Sequence, residues 1–177
     1  MSAVSKIHPE IIPTPSPLAA KFDALGIRTV TYQHPPVFRV GEDDDFIHLI
    51  PGGHSKNLFL KDKKDQVWLV TALQDTVIDL KWLRGHLGCT ALSFGNAELM
   101  DRLLGVTPGS VTPFGLIHDA QKEVRPVLDA RLMTCDSVNF HPLKNDKTTN
   151  ITPSDLMRFM RDLGFEPRVV DFAKGQN

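Results

Sequence analysis

Two apolar runs stand on either side of three charged residues, and no other feature restricts the fold of this chain as much. KNLFLKD (Lys56–Asp62) and QVWLVTAL (Gln66–Leu73) flank Lys63-Lys64-Asp65. Short apolar runs rich in β-branched and aromatic residues, closed by a charged turn, read as a β-hairpin. Lys61, Lys63 and Lys64 then form a solvated tip that keeps a strand edge from pairing with another chain. The rest of the chain mixes strand and helix signals without strict β-α-β alternation. That favours an α/β (α+β) fold with a mixed sheet curled into a barrel-like form and flanked by helices, over a doubly wound nucleotide fold.

Helix signals are local and easily placed. Thr14 or Ser16 before Pro17 opens a helix through PLAAKFDALG, which stops at Gly26. The carboxylates of GEDDDFIHLI suit the positive end of another short helix. DLKWLRGHLG places Leu80, Leu83 and Leu87 at helical spacing and ends at Gly88. Asn96 caps NAELMDRLLG, and Thr152 with Pro153 opens a final helix in NITPSDLMRFMRDLGF. RTVTYQH, LSFG, VTPFGLIH, RPVLDARLM, SVNFHPL and RVVDF read as strands. Residues 1–16 read as an irregular lead-in and residues 17–177 as one domain. A chain of 177 residues fits a single core, since these usually fill about 100–200 residues.

Composition removes several function classes. The net charge of −1 argues against DNA and against a broad nucleic-acid groove, though it permits contact with one end of a nucleic acid. No stretch approaches 18 consecutive apolar residues, so no spanning helix is expected. The first 17 residues carry four prolines and no apolar core segment, which does not describe a secretory leader. Two cysteines without a CxxC pattern suggest free thiols in a reducing cytoplasm. The sequence contains no GxSxG, Walker loop, GxGxxG or HExxH, and its seven histidines show no metal-ligand spacing, so no metal and no cofactor are expected.

Three loop-to-strand segments concentrate polar groups beside glycine or proline: Gly52–Asn57, Gly105–Gly115 and Asn139–Thr152. Loops on a rigid scaffold are where binding and catalysis concentrate. Taken singly, each has a plain structural explanation. Gly52-Gly53 makes a tight turn, Lys56 is a solvated lysine at a strand edge, Gly109 and Gly115 serve turn geometry, and His141 is a hydrogen-bonded histidine at a strand end. Cys135 precedes His141 by six residues, about 20 Å along a strand, too far for a thiolate–imidazole pair.

Taken together, PGGHSKNLFLKDKKDQVWLV, LGVTPGSVTPFGL, VNFHPLKNDKTTNIT and the terminal RVVDF resemble the YbaK/ProX superfamily of aminoacyl-tRNA editing proteins. The resemblance is strongest to its free-standing alanyl-tRNA(Pro) deacylases, related to the editing domain of bacterial prolyl-tRNA synthetases, and it runs from about Pro17 to Phe172. It implies a metal-independent cytoplasmic hydrolase that removes alanine from the 3′ end of mischarged proline tRNA. Its partners would be that acceptor end and, in trans, prolyl-tRNA synthetase.

The resemblance makes Lys56 of the KNLFL motif the signature residue, with Gly109 and His141 as the other catalytic candidates. Substrate contacts would come from His54, Ser55 and Asn57, from Ser110, Val111, Thr112, Pro113, Phe114 and Gly115, and from Asn145 and Thr148. His118 departs from the pattern, since relatives often carry asparagine after the PFGL segment. Lys56 offers a point charge for a phosphate or ribose oxygen, and N–H groups of the Gly109–Pro113 loop suit a developing oxyanion. No residue is an evident nucleophile, so attack by water is expected, with the substrate's ribose hydroxyl helping to move the proton. Deacylation of cysteinyl- or seryl-tRNA, a non-catalytic module binding tRNA ends or a synthetase, and a small-molecule domain unrelated to tRNA remain as alternatives.

Overall fold

The computed structural model describes residues 8–36 and 46–176. Among them, nine strands form one mixed sheet in the order β1-β2-β8-β7-β3-β4-β6-β9, with β5 also paired to β3. The strands are β1 (Glu10–Ile12), β2 (Val30–Gln33), β3 (Gly53–Lys61), β4 (Val67–Leu73), β5 (Ser93–Phe94), β6 (Val124–Asp129), β7 (Val138–Phe140), β8 (Lys147–Ile151) and β9 (Arg168–Val170). Four helices flank the sheet: α1 (Leu18–Leu25), α2 (Leu80–Leu87), α3 (Ala97–Leu104) and α4 (Pro153–Asp162). The expected mixed sheet with flanking helices is what forms.

The β3–β4 hairpin is the organising pair. It runs antiparallel from Ser55 opposite Leu73 to Lys61 opposite Val67. Successive strand residues point to opposite faces, and here both faces are apolar. Phe59, Val67 and Leu69 enter one core with α1, α3 and α4, while Leu60, Trp68 and Val70 enter a second with Leu83 of α2. The hairpin tip is held by Asp62, whose Oδ1 accepts from the Lys64 and Gln66 N–H groups.

The caps read in the sequence form at α3 and α4 but not at α1, where Pro17 is itself the cap residue and no side chain of Thr14 or Ser16 caps the helix. Asp79 adds an unexpected cap at α2. The side chains of Asp79, Asn96 and Thr152 each accept an N–H from the first turn of α2, α3 and α4. Gly26, Gly88 and Gly105 end helices in the left-handed conformation that glycine adopts without a Cβ clash. In the acidic segment expected to start a helix, residues 41–45 lie outside the described residues; Ile47–Leu49 forms a short 3-10 turn.

Three expectations are corrected. VTPFGLIH is not a strand: Pro113–His118 is a 3-10 helix, with Thr112 Oγ1 accepting the Phe114 N–H and Pro113 pre-set at the first helical position. KTTNI, expected within a loop, is β8, paired with β2 and β7. Glu10–Ile12, expected in an irregular lead-in, pairs with Thr31–Gln33 as β1. Phe114, fully buried, packs edge-on against Phe140 and Phe159 at 5.6 Å and against Phe22 at 5.4 Å. A Phe→Ala change in such a cluster costs about 3–5 kcal/mol.

Candidate active site

The Pro51-Gly52-Gly53 turn places the start of β3 against β7 and β8. Gly52 has φ +99°, and a Cβ there would lie 2.6 Å from Ser137 Oγ and 2.7 Å from Asn150 Nδ2. No other residue fits this combination of backbone and space. The Pro51 carbonyl accepts from Asn139 Nδ2 at 2.9 Å and Asn150 Nδ2 at 3.0 Å, while Asn150 also donates to Asn139 Oδ1. Ser55 Oγ donates to the Asn139 carbonyl at 2.6 Å. Beside it, β3 and β7 pair in parallel, with His54 opposite Asn139.

Lys56 and Asn57 are consecutive on β3 and so point to opposite faces of the sheet. Asn57 Oδ1 accepts from Thr71 Oγ1 at 2.7 Å on the neighbouring strand. Lys56 Nζ donates to the Thr76 backbone carbonyl on the other side. Beside the Thr76 turn, Arg131 forms a two-nitrogen pair with Asp75 at 3.1 and 3.4 Å, and the buried Asp129 accepts from the Thr76 hydroxyl. Hydrogen bonding from Arg131, and then its charge, hold the Asp75 carboxyl below the ordinary carboxylate range, with Lys56 adding in the same direction.

His141 occupies a different environment. Its Nδ1–H donates to the Lys147 carbonyl at 2.8 Å, which leaves Nε2 as the ring's acceptor. Burial pushes the imidazole pKa down, the Lys147 carbonyl opposes this, and the His34 ring pushes down again; the net shift is downward. The His34 centroid lies 6.4 Å away, and its Nε2 accepts from Thr148 Oγ1 at 2.8 Å while Nδ1–H donates to the Pro35 carbonyl. His54 is likewise held below its ordinary value, by burial and then by His48. The lowered values favour neutral imidazoles at His141 and His54 at pH 7.

The Gly109 loop supplies backbone donors. Gly109 sits at φ +92°, and Ser110 N–H closes the turn onto the Thr107 carbonyl. Phe114 and Gly115 N–H groups both bond back to Thr112. Pro113, Phe114 and Gly115, expected to contact substrate, are buried, as are Ser110 and Thr112 of the same loop. His118 donates from Nδ1 to the Leu104 carbonyl at 2.9 Å, which gives that departure from the family pattern a structural role at the end of α3. Between this loop and the segment after His141 lies a cavity of about 380 Å³, lined by Ser110, Val106, Leu143 and Asn145 among others. Lys56 and His141 do not line it. No hydrogen bond or ion pair among the described residues joins Lys56 to His141 or to the Gly109 loop.

Neither cysteine is activated. Burial raises the Cys89 and Cys135 thiols above their ordinary value, so neither is a thiolate at neutral pH. Among the described residues, no group of three or more His, Cys, Asp or Glu is placed to hold a metal ion, and no helix is long and apolar enough to cross a membrane. His34, Thr76, Asp129 and Arg131 were not singled out from sequence, and each meets a side chain distant in the chain.

With the hairpin lysine, the neutral histidine and the glycine loop in place, the comparison with known proteins is decisive. The aminoacyl-tRNA editing domain matches residues 34–159. The chain belongs to that family. A Bos taurus protein named prolyl-tRNA synthetase associated domain-containing protein 1 is 39% identical over 162 residues, covering 89% of this chain and 94% of that protein. The prolyl-tRNA editing protein ProX of Acetoanaerobium sticklandii is 36% identical over 150 residues, covering 82% of this chain and 89% of its own. A solved structure described as a candidate trans-editing enzyme for prolyl-tRNA synthetase superposes with TM-score 0.67 at 19% identity, covering 92% of this chain and 98% of that one, and so shares its fold.

Proposed function

We propose that this editing-domain protein is a cytoplasmic deacylase for alanyl-tRNA(Pro), acting in trans to prolyl-tRNA synthetase. The observation that carries the reading is the presence, on one family scaffold that offers no activated thiol, of Lys56 fixed by the Thr76 carbonyl and of His141 kept neutral by burial. Lys56 meets a phosphate or ribose oxygen of the terminal adenosine as a point charge. The Gly109 loop presents N–H groups to the ester carbonyl, where negative charge develops as water adds. Among the described residues, the N–H groups of Gly109, Val111 and Thr112 make no hydrogen bond, which suits that part.

Water supplies the oxygen that forms the new C–O bond, and the ester C–O bond to the ribose breaks. The proton leaves the water with help from the substrate's own ribose hydroxyl and reaches the departing 3′ oxygen, giving free alanine and uncharged tRNA. His141, accepting through Nε2, positions the ester or that water. The selectivity argument is one of size. A synthetase site shaped for proline rejects smaller alanine by only about 1–3 kcal/mol, so a second hydrolytic pocket that admits alanine and excludes proline supplies the remainder.

The test is deacylation of tRNA(Pro) charged with alanine, cysteine, serine or proline. Fastest release from the alanine ester and none from the proline ester is expected. Equal or faster release from the cysteine or serine ester would replace the assigned substrate. Binding without turnover of any ester would make the protein a binding module.

A further inference from the structure

Lys56 is held by a residue that is itself held, and the anchor is a carboxylate with no surface exposure. Asp129, at the end of β6, is fully buried. Its Oδ2 accepts from the Leu73 N–H at 3.2 Å and from Thr76 Oγ1, and its Oδ1 accepts from the Arg131 N–H at 3.0 Å. Thr76 Oγ1 gives its proton to Asp129 and accepts from Arg131 Nη1 at 3.0 Å, so the hydroxyl has one orientation that satisfies both partners. The backbone carbonyl of the same Thr76 accepts from Lys56 Nζ. One residue therefore joins the buried carboxylate, through its side chain, to the lysine, through its main chain.

We propose that Asp129 is a positioning residue for Lys56, acting through Thr76. The proposal rests on the reading of Lys56 as a substrate contact. A lysine on a flexible four-carbon stem directs its charge only where something fixed receives it. Here the receiver is a carbonyl at the end of β4, and the Leu73–Thr76 turn carrying it is tied to Asp129 at two points, Leu73 N–H and Thr76 Oγ1. A buried carboxylate is costly unless its hydrogen bonds are made, and those made here converge on the segment that presents the Thr76 carbonyl. The Asp75–Arg131 pair, largely exposed, contributes by aiming Arg131 Nη1 at the Thr76 hydroxyl.

The experiment compares Thr76→Val, which keeps the shape and removes the hydroxyl, with Thr76→Ser, which keeps the hydroxyl, and with Asp129→Asn. The first readout is the NMR signal of the Lys56 side chain in protein labelled at lysine Cε, assigned by its loss in Lys56→Arg. The Lys56 signal is expected to move in Thr76→Val and Asp129→Asn and to return in Thr76→Ser. The second readout is single-turnover release of alanine from alanyl-tRNA(Pro). About a tenfold loss is expected in Thr76→Val, recovery in Thr76→Ser, and no further loss when Thr76→Val is added to Lys56→Ala. An unmoved Lys56 signal in folded Thr76→Val overturns the proposal whatever the activity, as does an equal loss in the Lys56→Ala background. A Lys56 signal that moves in a protein with no deacylase activity supports the positioning role and rejects the functional reading instead. Should Asp129→Asn fail to fold, the two Thr76 variants decide alone.

Discussion

Lys56 sits beside the Asp75–Arg131 ion pair and His141 where burial disfavours charge, although β3 and β7 are neighbours in the same sheet. At the lysine end, the ammonium donates to the Thr76 carbonyl, Asp75 is close enough to feel its charge, and the Thr76 hydroxyl bonds Asp129 and Arg131. At the histidine end, burial and a second imidazole hold His141 neutral, and its partners are a carbonyl and a ring. On the proposed reading, the difference teaches that an editing site needs two kinds of environment at once. A tRNA end brings fixed negative charge, whereas an ester and its attacking water are best received by neutral groups that can accept a proton.

The largest expected effect breaks the charged end. Lys56→Ala should slow release of alanine by about 100–1000-fold, the scale seen when a group stabilising transition-state charge is removed, with circular dichroism unchanged. A loss under tenfold would remove Lys56 from the proposed chemistry. Next comes the neutral end: His141→Ala should cost about 100-fold, at the low end for a positioned proton acceptor.

The two ends should also separate by pH. The His141 and His54 pKa values are lowered from 6.5 in the folded state. Their stability contribution is therefore full above 6.5 and is lost as pH falls through the lower folded values. Urea midpoints should drop between pH 7.5 and pH 5, and less so in a His54→Gln, His141→Gln double variant. An equal drop in that variant would remove both histidines as the source.

Gly52→Ala tests the turn that joins the two ends. With φ +99° and two contacts under 3 Å waiting for a Cβ, it should destabilise by about 1–3 kcal/mol in denaturant titrations. The smallest effect is at the rim: Asp75→Asn removes one partner of an exposed pair and should leave the thermal midpoint unchanged within error. A clear fall in that midpoint would show that the charged end is held by its surface pair as well as by its buried carboxylate.

What could be read in the sequence was local. The β3–β4 hairpin and the Asn96 and Thr152 caps follow from residues within a few positions of one another. Thr112-Pro113 carries the same Thr-Pro cap signal as Thr152-Pro153, yet the Val, Phe and Ile around it argue for a strand, and the cap prevails in the fold. KTTNI looks like loop because its residues are polar; it becomes β8 only by pairing with β2 and β7. The candidate site residues were named through the family motifs, whereas the groups that hold them were not. Thr76 and Asp129 meet across 53 positions, and His34 and Thr148 across 114. Strand alternation, by contrast, was present in the sequence and separates Asn57 from Lys56.

Those spans also set an order of assembly. The Lys56–Thr76 contact closes a loop of 20 residues, while Thr148 reaches His34 across 114. Loop-closure entropy favours the shorter by about 1.5 kcal/mol. During synthesis, β2 has no β8 to pair with until the last quarter of the chain has left the ribosome, so the lysine end takes shape while the histidine end is still waiting for its second half. Pulse-labelled hydrogen exchange during refolding should protect the β4 amides before those of β8. On the proposed reading, a nascent chain of this protein therefore holds the charge that meets the tRNA end before it holds the groups that receive the ester.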